Sequence, residues 1–282
     1  MTYVLFNNQI TMRENVKIDI EDRGYNFGDG IYEVIPVYNS KPFASEEHLQ
    51  RFESSAEKLE IKLPYKKELL QSLLTDLIYK NNLVTGILYI QMTRGVFTRA
   101  HLYERNVPGL ITGLTQKIDF PFEQKQTGIA VFVTEDIRWL RCDIKTINLL
   151  GNTMLKRQAA DNQCHEAIMY RTTLLTEGSS SNLFIVKDGT LITHPATNLI
   201  LNGITRQIIL KLARQANIPI KEQAFTLEQL KEADEVFLTS TTQEVTPIVS
   251  TKGDLKTTFS IGTVTRTLQK LFIDYRETSS GE

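Results

Sequence analysis

Cysteine is scarce in this sequence. Only Cys142 and Cys164 occur, in no C-x-x-C pair and no disulfide-rich pattern, so a reducing cytoplasm suits the chain. Charge of one sign is equally short: Lys and Arg total 32 against 33 for Asp and Glu. That balance removes any bulk attraction to nucleic acid or anionic membrane and leaves a small molecule as the expected partner. No segment approaches the length of a membrane span, and Met1 to Ile10 lack the basic leader and apolar stretch of a signal peptide. The four histidines, His48, His101, His165 and His194, show neither H-E-x-x-H nor finger spacing, so no metal is expected. The absence of a G-x-S-x-G elbow removes the usual hydrolase signal. Without a Walker loop or dinucleotide fingerprint, any phosphate recognised is single rather than a pyrophosphate.

What is present describes an ordinary globular protein. Apolar residues make up 41% and charged residues 23%, and 282 residues suit two modest domains. Val16 to Ile20 alternate as a half-buried strand would, Gly24 to Gly30 reads as a glycine-rich turn, and Ile31 to Ile35 as extended chain. Ser45 is placed to cap a helix carrying Leu49, Phe52, Ala56 and Leu59, and Leu69 to Ile78 mark a second helix. Ile87 to Met92 reads as a buried strand. Lys117 to Thr127 has no period and reads as a linker, which puts a boundary near Pro121 between domains of residues 1–120 and 121–282.

Beyond that boundary β pattern dominates. Strands are expected at Ile129 to Val133, Leu140 to Ile144 and Glu166 to Tyr170, with a hairpin turning at Asp188-Gly189. Helices are expected at Met154 to Ala160, Ile204 to Ala216, Leu227 to Glu232 behind a Thr226/Gln229 capping box, and Val264 to Tyr275. Elements that alternate without strict βαβ order favour an α+β, mixed α/β protein over a doubly wound sheet.

Several residues can carry chemistry, each against a plainer reading. Lys145 ends an apolar strand pattern, Trp139 to Ile144. Alone it reads as a solvated lysine; in a cleft, desolvation or nearby positive charge makes such an amine nucleophilic toward an aldehyde. Glu177 enters a small polar run, Gly178 to Asn182, which is a plain turn or the seat of a carboxylate facing a cationic ring nitrogen. Gly203-Ile204-Thr205-Arg206 opens a helix whose free amides and Thr205 hydroxyl suit an anion, or ordinary capping. Thr239 to Thr242 form a second hydroxyl cluster, and Arg51 offers a charged fork. Arg99 and His101 lie two apart in a loop, where solvated charge and carboxylate recognition compete. Tyr32 adds a hydroxyl or simple packing.

Four stretches, Glu21 to Glu33, Arg138 to Lys145, Thr176 to Asn182 and Gly203 to Arg206, together resemble the fold-type-IV (class IV) pyridoxal-phosphate aminotransferases, in particular their bacillus-type D-amino-acid aminotransferases. The likeness runs from about residue 3 to the last helix, with the extreme C-terminus departing. It implies a smaller N-terminal α/β domain, a larger C-terminal domain carrying the lysine, and a cofactor cleft between them. By the same resemblance Lys145 links to pyridoxal 5'-phosphate and moves the substrate proton, and Glu177 pairs with the pyridine nitrogen. Arg51, Ile204, Thr205 and Thr241 hold the phosphate and Leu201 supports the ring. Tyr32, Arg99 and His101 trap the substrate carboxylate, the loop of Arg99 and His101 being supplied across a homodimer interface. The implied reaction is ping-pong transfer from D-alanine to 2-oxoglutarate, giving D-glutamate and serving bacterial cell walls. The alternatives of the same fold are a branched-chain L-amino acid aminotransferase and an aminodeoxychorismate lyase; the alternative of another class is a non-catalytic binding module.

Overall fold

The structure, a computed structural model, describes residues 2–281. The chain forms two compact units. The first holds the residues up to Asp119 together with Ile144–Asn148; the second holds Phe120–Asp143 and Leu149–Thr278.

The first unit contains β1 (Tyr3–Phe6), β2 (Gln9–Met12), α1 (Arg23–Phe27), β3 (Gly30–Tyr38), β4 (Lys41–Pro42), α2 (Ser45–Lys58), β5 (Ile61–Lys62), α3 (Lys67–Lys80), β6 (Gly86–Thr93), β7 (Val107–Pro108) and β8 (Leu110–Lys117). Among the described residues six strands make an antiparallel sheet in the order β2-β1-β8-β6-β3-β4, and β5 pairs with β7. Strand periodicity explains the core. Ile31, Ile35 and Val37 of β3 join Leu49, Phe52 and Ala56 of α2 and Leu70, Leu74 and Leu77 of α3, all buried.

The second unit contains α4 (Phe122–Thr127), β9 (Ile129–Glu135), α5 (Leu150–Asp161), β10 (Glu166–Arg171), β11 (Leu174–Gly178), β12 (Asn182–Lys187), β13 (Thr190–Thr193), α6 (Ile204–Gln215), β14 (Ile220–Glu222), α7 (Leu227–Lys231), β15 (Glu235–Ser240), β16 (Glu244–Gly253), β17 (Thr257–Thr258) and α8 (Thr263–Gly281). Its sheet runs β11-β10-β9-β16-β15-β12-β13-β14, with β17 on β16. Strand β9 lies parallel to β10 and β16, whereas β12 and β15 are antiparallel, so the architecture is mixed as expected for an α+β protein. The hairpin turns at Asp188 and Gly189, both at positive φ, and Thr226 and Gln229 complete a capping box.

Local pattern misleads at six places. Val16 to Ile20 is not a strand: Ile18 and Ile20 are exposed, and among the described residues no strand pairs with them. Gly24 to Gly30 is not simply a turn, because Asp22 accepts a bond from Gly24 N and starts α1, which ends on Gly28 at φ 65°, a conformation glycine adopts without a Cβ clash. Ala44, at φ 52°, occupies the cap position before α2, and Ser45 is already helical. The expected linker folds in part as α4. Leu140 to Ile144 does bury Cys142 and Ile144, but among the described residues it has no partner strand; Cys142 N donates to Asn198 O and the chain turns. Finally, Lys145, expected within the second domain, packs with the first unit. Ile144 enters that unit's core, Tyr32 N donates to Lys145 O at 3.0 Å, and Ile31 bridges Thr146.

Candidate active site

The chain around Lys145 is held by its backbone. Thr146 N donates to Ile144 O at 2.8 Å, closing a three-residue turn with Lys145 at its apex. Ser55 Oγ accepts from Lys145 N at 3.3 Å, and Thr146 Oγ1 donates to Gly30 O at 3.0 Å. With its main chain fixed to α2 and β3, the half-buried side chain places Nζ 4.2 Å from the centroid of the Tyr32 ring. Tyr32 itself stacks on Tyr89 at 5.7 Å.

One turn of α2 away lies a buried charge cluster. Glu33 occupies the apolar register of β3 between Ile31 and Ile35 and is fully buried. It accepts from Arg51 Nε at 2.6 Å and Arg51 Nη2 at 2.9 Å, and lies 2.7 Å from His48 Nδ1. Burial alone would raise the Glu33 carboxyl, but Arg51 and His48 outweigh it and hold it far below the ordinary carboxylate range. Burial lowers His48, against the pull of Glu33. Glu33→Gln removes the bidentate acceptor of a half-buried guanidinium from a buried site, so urea denaturation is expected to show a loss on the order of 3 kcal/mol. The pH dependence has a definite sign. A depressed carboxyl contributes stability in full above its unfolded pKa and loses it as pH falls towards its native one, so the gap between wild type and Glu33→Gln begins to narrow below about pH 4 and keeps narrowing on further acidification. A gap that stays constant on acidification would refute the cluster's ionic character.

In the second unit Glu177 closes β11 beside three donors. Arg138 Nη1 donates to Oε1 at 2.6 Å, while Asn182 Nδ2 and Leu201 N each donate to Oε2 at 3.0 Å. Burial pushes the Glu177 carboxyl up to about 7 despite these donors. Arg138 is anchored in turn by Asp136, its Nε and Nη2 both at 2.9 Å, and the two carboxylates raise its pKa against the effect of burial. Asn182 ties the parts together: Nδ2 also donates to Leu201 O at 2.8 Å, and Oδ1 occupies the space that a Cβ on residue 203 would need. Only glycine lets the start of α6 approach so closely. Gly203 brings no side-chain cap, so the first amides of this 12-residue helix face outward from its positive end beside the buried Ile204 and Thr205. Thr241 sits half-buried in the turn after β15, flanked by Thr239 Oγ1 and Gln243 Oε1, which are buried and have no hydrogen-bond partner among the described residues.

The exposed loop after β6 carries Arg99 and His101, and both gather on one ring of α1. The Arg99 guanidinium lies 5.1 Å from the Phe27 centroid and the His101 ring 5.9 Å from it, edge-on at 71°.

The model of the class IV amino-transferase family matches residues 30–251. The chain belongs to the class IV aminotransferases. A D-alanine aminotransferase of Listeria monocytogenes serotype 4b is 45% identical over 282 residues, 99% of this chain and 98% of that one. One of Staphylococcus epidermidis is 46% identical over 281 residues, 99% and 100% of the two chains. Among solved structures, a branched-chain amino acid aminotransferase from Escherichia coli is similar with a TM-score of 0.86 at 28% identity, covering 98% of this chain and 94% of that one. A 4-amino-4-deoxychorismate lyase from Pseudomonas aeruginosa shares the fold, with a TM-score of 0.83 at 24% identity over 96% and 98% of the two chains.

In this class IV aminotransferase the sequence-predicted residues fall into separate local groups. Lys145, Tyr32 and Arg51 belong to the first unit beside α2 and β3; Arg99 and His101 share Phe27; Glu177, Leu201 and the start of α6 share Asn182. Sequence reasoning missed Glu33, His48, Arg138 and Asn182 as supports. Glu33 had a readable signal, a charge in the apolar register of a strand. Arg138 had none, because its partner Glu177 lies 39 positions away. Among the described residues no His, Cys, Asp and Glu group could hold a metal ion, and no helix is long and apolar enough to cross a membrane.

Proposed function

We propose that this aminotransferase moves an amino group from D-amino acids, D-alanine first among them, to 2-oxo acids such as 2-oxoglutarate, using pyridoxal 5'-phosphate in two successive half-reactions. The full-length likeness to two D-alanine aminotransferases carries this reading. The branched-chain enzyme and the lyase are far less similar in sequence.

The donor sets fit such a cofactor. A helix start without a side-chain cap, with orphaned buried hydroxyl and amide oxygens near Thr241, suits a phosphate and its surrounding water. A buried carboxyl suits the N–H of a protonated ring. Bound pyridoxal phosphate supplies an aldehyde for an amine and a protonated ring that takes up the electron pair left at the substrate Cα. Lys145 Nζ would hold that aldehyde and, once displaced from it by the substrate amine, would take the proton released at the substrate Cα and pass it to the cofactor carbon that carried the aldehyde. Glu177 accepts the ring N–H, and Arg138, Asn182 and Leu201 N keep its oxygens aimed. Arg51, the Ile204 and Thr205 amides and the Thr241 hydroxyl receive the phosphate, and the Leu201 side chain supports the ring.

Tyr32, Arg99 and His101 bind the substrate carboxylate. We read the working form as a homodimer in which the exposed Arg99–His101 loop serves the neighbouring copy's site. The free, buried Cys142 and Cys164 suit a cytoplasmic enzyme.

Purified protein supplied with pyridoxal phosphate is expected to turn over D-alanine with 2-oxoglutarate and to leave L-alanine untouched. Activity with L-alanine alone would sink the assignment, and pyruvate release without any amino acceptor would point to a lyase. Borohydride is expected to fix the cofactor on a Lys145 peptide. Arg99→Ala is expected to raise KM for D-alanine by the equivalent of roughly 1.5–3 kcal/mol, the value of a hydrogen bond to a charged group, with cofactor affinity unchanged. An unchanged KM would argue against the carboxylate trap.

A further inference from the structure

Two arginines and one carboxylate of the first unit have no part in the proposed chemistry, yet they converge on the loop that carries Arg99 and His101. Asp29 accepts from Arg23 Nε at 2.8 Å, from Arg94 Nε at 2.8 Å and from Arg94 Nη2 at 3.1 Å. Arg23 Nη1 donates at 2.6 Å to the carbonyl of Ala100, the residue between the two basic side chains. Arg94, 2% exposed, donates to Glu104 O at 3.3 Å further along the loop and to Leu59 O at 2.6 Å behind it. The loop is therefore gripped at two peptides by buried guanidinium groups that share Asp29. Phe27 adds a third tie, because its ring lies 4.5 Å from the Arg23 guanidinium as well as against Arg99 and His101.

Charge-assisted bonds of this kind are short and directional, and the carboxylate fixes the plane of each guanidinium. The orientation of the Ala100 peptide thus follows from Asp29 and Arg23, and the directions of its two neighbours follow from that peptide. We infer that Arg23, oriented by Asp29, is a positioning residue for substrate specificity: it grips the Ala100 carbonyl and shares the Phe27 ring, which sets the spacing and aim of Arg99 and His101. This rests on the reading of Arg99 and His101 as the carboxylate trap. Arg23 acts from beneath the loop, with its side chain only 6% exposed.

Arg23→Met in the cofactor-loaded enzyme is expected to raise KM for D-alanine roughly tenfold, about one misplaced charged hydrogen bond, with kcat near wild type. Trypsin is expected to cut the variant at Arg99–Ala100 and to spare that bond in the wild type. Arg23→Lys, which keeps the charge but not the two-armed reach, is expected to fall between them. A merely structural arginine would lower the melting temperature without splitting KM from kcat or opening that bond. If Arg23→Met does not fold, Phe27→Leu poses the same question through the shared ring and is expected to raise KM. Arg99→Ala, measured alongside, separates the two layers of the claim. A raised KM in Arg99→Ala with wild-type KM and wild-type trypsin pattern in Arg23→Met, or with wild-type KM in Phe27→Leu, overturns the positioning role and leaves the trap standing. A wild-type KM in Arg99→Ala overturns the trap and the specificity role together.

Discussion

Lys145→Ala is expected to lower turnover of D-alanine by roughly 10⁴-fold or more, since in the proposed mechanism one side chain supplies both the covalent anchor and the proton carrier. The prediction is sharp because little else depends on that side chain. Its amine packs over the Tyr32 ring, whereas the turn at residue 145 is held by main-chain bonds to Ser55, Tyr32 and Ile144 that alanine retains. Stability should therefore change by no more than about 0.5–1 kcal/mol. Cofactor should still bind without a covalent link, through the phosphate donors and Glu177, so titration with pyridoxal phosphate would give a spectrum that borohydride no longer fixes. A variant that turns over D-alanine at the wild-type rate would remove Lys145 from the mechanism altogether.

Glu177→Gln is expected to reduce kcat by roughly 10²–10³-fold, the size of losing one preorganised charge at the reacting system. An amide cannot keep the ring nitrogen protonated as a carboxylate does. The variant also carries a stability signature in the cofactor-free protein. The Glu177 pKa in the fold, about 7, lies above that of an exposed glutamate, so the folded state holds a proton that the unfolded chain has released. Stability from this group is complete below the unfolded pKa and is lost as pH rises through about 7. Wild type should accordingly lose stability relative to Glu177→Gln between roughly pH 4.5 and 7. Parallel curves across that window would show that Arg138 keeps the carboxylate charged throughout.

How far the sequence was legible follows the range of the interactions involved. Helices α3 and α6, strands β9 and β10, the Thr226/Gln229 box and the Asp188-Gly189 hairpin are dictated within a few residues, and their signals are plain. The Leu140 to Ile144 stretch carries the alternation of a strand and buries two of its apolar residues, yet a strand also needs a neighbour, which no local pattern reveals. The candidate residues were legible as motifs. Their supports were not: Glu33 meets Arg51 across 18 positions and Arg138 meets Glu177 across 39. Asn182 was readable as a turn former, but its part in joining Glu177, Leu201 and Gly203 exists only once β12 and the start of α6 are side by side.

The Lys145 turn closes a unit whose other residues all but finish at Asp119, while Phe120–Asp143 of the other unit is laid down in between. A chain emerging from the ribosome N-terminus first cannot complete that unit until it has been made past Asn148. Until then Ile31 lacks its bridge to Thr146 and the core lacks Ile144. The order of synthesis therefore places the Lys145 amine behind every residue of that unit's hydrophobic core. A nascent or truncated chain ending near Asp119 has no lysine turn to offer free pyridoxal phosphate, and cutting the protein there yields one piece without its amine and another without the strand that positions it.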